Sequence, residues 1–123
     1  MTGPKTDLRA AAALRSDELL TTAVAFHCQQ AVEKALKAII EEENLPLPKT
    51  HDLGRLLGIL RQSVHFEVDE DQLDILNQVY VSGRYPMDMG ILPTGRPSLD
   101  EAAQMVTFAV QVFERVTSVL GGP

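Results

Sequence analysis

The stretch that decides the fold is FHCQQAVEKALKAII, residues 26–40. Cys28, Val32, Ala35 and Ile39 recur at alternating spacings of four and three, which makes one helical seam. Ala31, Leu36 and Ala38 broaden that apolar face. His27, Gln30, Lys34, Lys37 and Glu41 recur in the same rhythm and form a polar stripe beside it. Glu33 and Lys37 stand in the i, i+4 order that favours a helix-stabilising ion pair. The spacing predicts a long amphipathic helix that begins between Ser16 and Thr22 and runs to about Glu43, where NLPLP breaks it. A simply solvated stripe would be mostly Glu and Lys; the His and Gln at its N-terminal end call for another explanation.

Helical patterns extend on both sides of this stretch. Upstream, Asp7 to about Arg15 is alanine-rich and docks through Leu8, Ala11 and Ala12. Downstream, Thr50 is an N-cap for a helix from His51 to about Arg61, whose buried face is Leu53, Leu56, Leu57 and Leu60. Gly54 and Gly58 in that helix would let a neighbouring helix approach closely. Asp69-Glu70-Asp71 opens a further helix through Leu73, Leu76 and Tyr80 that ends near Gly83; acidic residues in a first turn complement the helix dipole. Residues 84–97, with three prolines and two glycines, read as a loop. Ser98 and Glu101 then make a capping box for a last helix. Its seam is Leu99, Ala102, Val106, Ala109, Phe113, Val116 and Leu120, and Gly121 and Gly122 end it. Strand alternation is absent. The expected architecture is all-α: an up-and-down bundle of four to five helices, two long and two or three shorter.

Composition sets the outer bounds. A chain of 123 residues with 45% hydrophobic residues predicts a single domain, 1–123, with a core over about residues 5–120. It has no apolar run of membrane-spanning length, so no membrane partner is expected. The start, MTGPKTDLRA, lacks signal-peptide features, and one cysteine, Cys28, cannot pair within the chain; both point to the cytoplasm. Net charge is −6, with 17 acidic and 11 basic residues, which argues against coating nucleic acid through a broad basic surface. Seven of those acids lie in EEE at 41–43 and EVDED at 67–71, so the total says little about any one patch. His27, His51 and His65 lie on separate segments, and no metal-ligand spacing or glycine-rich phosphate loop occurs. No metal and no cofactor are expected, and Cys28, in the apolar seam, reads as a buried structural thiol.

Two further short stretches are as specific as the first. In KTHDL, residues 49–53, a histidine occupies the first turn of a helix, where backbone amides favour anions. In SGRYP, residues 82–86, an arginine and a tyrosine leave a helix end and a proline fixes the exit. Taken in order, FHCQQAVEKALKAII, LPKTHDLGRLL and LNQVYVSGRYP resemble the HEPN domain family over about residues 5–118. That family is named for higher eukaryotes, prokaryotes and nucleotide binding. The resemblance implies a compact helical bundle, often a homodimer and often paired with a minimal nucleotidyltransferase in toxin–antitoxin systems. Some branches are metal-independent endoribonucleases that carry an Arg-x4–6-His motif. There arginine stabilises the charged phosphorane and histidine transfers a proton.

This sequence departs from that motif. Arg84 is followed by Tyr85, Pro86, Met87, Asp88, Met89, Gly90 and Ile91, and Arg61 meets His65 one residue too soon. The resemblance therefore favours a module that binds a nucleotide, a phosphate-bearing ligand or a nucleotidyltransferase partner. The candidate ligand-binding residues are Gln30, Lys34, His51, Arg84 and Tyr85, with Lys34 and Arg84 holding phosphate charge. One alternative is an endoribonuclease acting on RNA through His51 and Arg84. Another is a purely structural, dimerising bundle, in which all five residues are occupied by intramolecular hydrogen bonds. The apolar positions Ile91 and Leu92 in the 84–97 loop suit either a fold-back over the bundle or a dimer contact.

Overall fold

The computed structural model describes residues 3–81 and 96–121, with residues 79–81 described through their backbone alone. Five helices account for most of these residues: α1 (Gly3–Leu14), α2 (Thr21–Glu42), α3 (Leu53–Leu60), α4 (Glu70–Val81) and α5 (Leu99–Val119). Among the described residues there is no strand, and the protein is an all-α helical bundle. None of its helices is long and apolar enough to cross a membrane, among the described residues.

α2 is the axis of the bundle. Its buried apolar residues include Val24, Ala25, Cys28, Val32, Leu36 and Ile40, which cover more than one face, so α1, α3, α4 and α5 all pack against it. Its contacts are broadest with α1 and α5. Eight residues make a helix that is marginal alone, and α3 is held by burying Leu53, Leu56, Leu57 and Leu60. Each such leucine contributes about 1.5–3 kcal/mol relative to an exposed one.

The ends of the helices are tied by side chains. Ser98 accepts from the Glu101 N–H at 3.0 Å while Glu101 accepts from the Ser98 N–H at 2.8 Å, the reciprocal box expected at the start of α5. The Thr21 hydroxyl, fully buried, donates to the Pro97 carbonyl at 2.7 Å and joins the first turn of α2 to the entry of α5. At α4, Asp69 accepts from the Gln72 N–H, and Glu70 and Asp71 stand in the first turn as expected. Between α3 and α4, Arg61 grips the Phe66 carbonyl through Nε and Nη2 at 3.1 and 2.9 Å, which holds the Phe66 ring in the core.

Several expectations are corrected. α1 starts at Gly3 rather than Asp7; it buries Pro4, Asp7 and Ala11, while Ala12 faces solvent. The N-cap of α3 is Asp52 rather than Thr50, because Asp52 Oδ1 reaches both the Gly54 and Arg55 N–H groups. Thr50 instead accepts from the Asp52 N–H, and His51 therefore precedes the helix rather than sitting in its first turn. Among the described residues no helix approaches Gly54 or Gly58: a Cβ at Gly58 meets nothing within 4 Å, and one at Gly54 meets only Asp52 Oδ1. On α5, Leu99 is 40% exposed and Phe113 and Leu120 are only partly buried. Met105, Phe108 and Val112 join the core instead, because α5 faces α2, α1 and α4 together and so buries a wider face than one seam. The expected end of the fourth helix near Gly83 lies outside the described residues.

Candidate functional site

The His, Gln and Lys side chains of α2 are organised by two buried carboxylates. The first is Glu33, only 5% exposed. Its carboxylate accepts from Lys37 Nζ at 3.0 Å and from Gln29 Nε2 at 3.1 Å, and His51 Nδ1 lies 3.0 Å from both its oxygens. Gln29 is wholly buried; its Nε2 also reaches toward the His51 carbonyl at 3.4 Å, and its Oε1 accepts from Gln30 Nε2 at 2.8 Å. Burial pushes the Glu33 carboxyl up, but hydrogen bonds from Lys37, Gln29 and His51 and the Lys37 charge outweigh it and hold the group below its ordinary 4.5. Glu33 is thus ionised at neutral pH. An ionised carboxylate only accepts, so His51 Nδ1 carries the proton and donates.

The second carboxylate is Asp7, brought by α1. His27 Nδ1 lies 2.9 Å from Asp7 Oδ1, and Lys34 Nζ donates to Asp7 Oδ2 at 2.7 Å. Cys28 lies beside this cluster; burial, and after it the negative charge of Asp7, pushes the thiol up to about 12. It is a neutral packing residue, as its place in the seam predicts.

α4 completes the surroundings of His51. Asn77 Nδ2 donates to Asp52 Oδ1 at 2.9 Å, and Asn77 Oδ1 accepts from the Leu53 N–H at 2.8 Å. The Asn77 bond, aided by the Arg55 and Gly54 N–H groups and opposed by burial, keeps the Asp52 carboxyl below its ordinary value. Hydrogen bonds therefore join α2, the 50–53 turn and α4 around one exposed imidazole.

A family model for the HEPN domain matches residues 5–119. The chain belongs to the HEPN domain family. The solved structure of an archaeal HEPN homologue superposes with a TM-score of 0.71 at 19% identity, over 98% of this chain and 93% of that one, a likeness of fold. No curated protein matches.

In this HEPN domain, Gln30 and His51 fall in one connected network, Gln30–Gln29–Glu33–His51. Lys34 falls in the other, around Asp7. Arg84 and Tyr85, like Ile91 and Leu92, lie outside the described residues. All three described candidates thus have intramolecular partners, yet the side chains of Lys34 and His51 remain 45% and 49% exposed. A concavity of about 560 Å³ is lined by residues 61–67 and contains none of the candidates.

Four residues that organise these clusters were not singled out as site residues by the sequence: Asp7, Gln29, Glu33 and Asn77. Gln29 and Glu33 carried a usable signal, since they stand one position from the seam residues Cys28 and Val32, at the rim of the apolar face. Asp7 and Asn77 carried none, because each acts on a partner at least 20 residues away.

Proposed function

We propose that this HEPN domain is a binding module for a phosphate-bearing, nucleotide-like ligand, of the kind that accompanies a minimal nucleotidyltransferase in toxin–antitoxin pairs. The observation that carries the reading is the convergence of the three HEPN-like stretches: Glu33 from the first bonds His51 of the second, and Asn77 from the third bonds the next two residues of the second, Asp52 and Leu53. Two buried carboxylates hold His51 and Lys34 from behind and leave nearly half of each side chain at the surface. An ammonium and an imidazole oriented this way suit recognition of an anionic ligand, and Arg84 and Tyr85 follow α4 in sequence to add charge and a stacking face.

Calorimetric titration with ATP, AMP and inorganic phosphate tests this, alongside co-purification with a nucleotidyltransferase encoded next to the gene. Lys34→Ala and Arg84→Ala are each expected to weaken binding about tenfold, the equivalent of one lost charge-assisted contact. Failure of all three probes and of the nucleotidyltransferase to bind would leave a dimerising scaffold, whose signature is a sedimentation-defined dimer and nothing more.

One observation favours a second reading. An imidazole whose Nδ1 donates to an ionised carboxylate is oriented for proton transfer, and His51 has that arrangement. In that reading His51 replaces the missing motif histidine of an endoribonuclease and Arg84 stabilises the phosphorane. RNA cleavage by the purified chain without metal, abolished by His51→Ala, is its signature; intact RNA after prolonged incubation removes it.

A further inference from the structure

The turn that carries His51 is held from two sides. From α2, Glu33 takes its ring and Gln29 reaches toward its carbonyl. From α4, Asn77 uses both ends of its amide on the next two residues, Asp52 and Leu53. Using both ends fixes the amide in one orientation, since a flip would face its NH2 toward the Leu53 N–H and its oxygen toward the Asp52 carboxylate. Asp52 Oδ1 is shared between this bond and the first N–H groups of α3, so the cap and the strut are one structure. α4 runs on from Asn77 to Val81, three residues before Arg84. Asn77 therefore ties the turn that carries His51 to α4.

We infer that Asn77 is a positioning residue of the candidate site: through Asp52 and Leu53 it sets where the His51 imidazole stands relative to the end of α4. The inference rests on the binding reading only for its effect on a ligand; the placement of His51 is a separate observable. Asn77→Ala removes both bonds. Asn77→Asp keeps an acceptor for the Leu53 N–H but sets a carboxylate against Asp52. Val116→Ala, a core truncation on α5, which among the described residues makes no contact with α3, is the control for general destabilisation.

The experiment has two readouts on the full chain at a temperature well below unfolding. Ring-nitrogen NMR of His51 reports its placement without a ligand, and ATP titration reports the site. Asn77→Ala and Asn77→Asp are expected to move the His51 ring signals and to weaken ATP binding about tenfold. Val116→Ala is expected to leave both near wild type, which separates loss of the Asn77 bonds from general destabilisation. In a His51→Ala background the Asn77→Ala change should have no further effect on affinity. His51 ring signals unchanged in both Asn77 variants, or moved as much by Val116→Ala, overturn the positioning role. Absence of ATP binding by the wild type bears on the proposed function instead, and the NMR readout still decides the role of Asn77.

Discussion

Removal of the Glu33 carboxylate is the sharpest perturbation available in this bundle. Glu33→Ala deletes the acceptor for Lys37, Gln29 and His51 at once. Lys37 and His51 are exposed enough to turn to water, so their loss is small. Gln29 is wholly buried and loses the better of its Nε2 partners, keeping only the 3.4 Å approach to the His51 carbonyl. A buried amide left in that state costs about 1–3 kcal/mol, and the truncated side chain adds a small cavity. The expected total is about 2–3 kcal/mol, or a Tm lower by about 8–12 °C for a domain of this length. Glu33→Gln preserves shape and an acceptor but not charge, and should cost about 1 kcal/mol. The pH dependence separates charge from packing. The folded Glu33 carboxyl lies below its ordinary 4.5, so the folded state releases this proton more readily than the unfolded one. Its stabilising contribution is present above pH 4.5 and is lost as pH falls through the lower folded value. Urea unfolding followed by circular dichroism between pH 7 and acid should therefore show wild type and Glu33→Gln converging in stability as the pH drops. Parallel curves, with a constant gap down to acid pH, would refute the claim that ionised Glu33 is the anchor.

Other consequences can be checked in the same preparations. Asp7→Asn should loosen α1 from His27 and Lys34, seen as faster amide exchange over residues 3–14 with little change in α5; uniform protection would contradict the role given to that carboxylate. The Cys28 thiol should resist alkylation in the native protein at pH 8 and react once urea unfolds it. Because its folded value is raised from 9.0 to about 12, the folded state holds that proton longer, and stability should fall as pH rises above 9.0. Gly58→Ala should stabilise the protein by about 0.5–1 kcal/mol, since the new methyl meets no atom and helix interiors disfavour glycine; a lower Tm would reveal a contact at that face.

The fold was legible because its signals are local. The seam of α2, the Ser98–Glu101 box and the leucine face of α3 are each written within a few residues, and each forms as read. Errors arose where two local signals competed or where a neighbour decided. Thr50 and Asp52 are both good caps, and Asp52 prevails because Asn77, 25 residues on, buttresses it. The α5 seam widened because three helices, not one, cover it. In the site, the polar stripe of α2 was visible but its meaning was not. What sets His27 and Lys34 is a carboxylate on α1, and what sets His51 is a buried Glu33 that in sequence looks like half of an ordinary surface pair. Burial of a charged residue is a tertiary fact, and helical periodicity cannot express it.

The Thr21–Pro97 hydrogen bond joins residues 76 positions apart, and with the Ser98 box it pins the chain where α5 begins. On the other side, Asn77 pins α4 just before it ends. The start of α2 and the entry of α5 thus form one joint, although 76 positions separate them. The entropy cost of bringing such distant positions together grows only slowly with their separation, about 0.6 kcal/mol for each doubling. Folding of the first turn of α2 is therefore coupled to that of α5, and a lesion at either end is felt at the other.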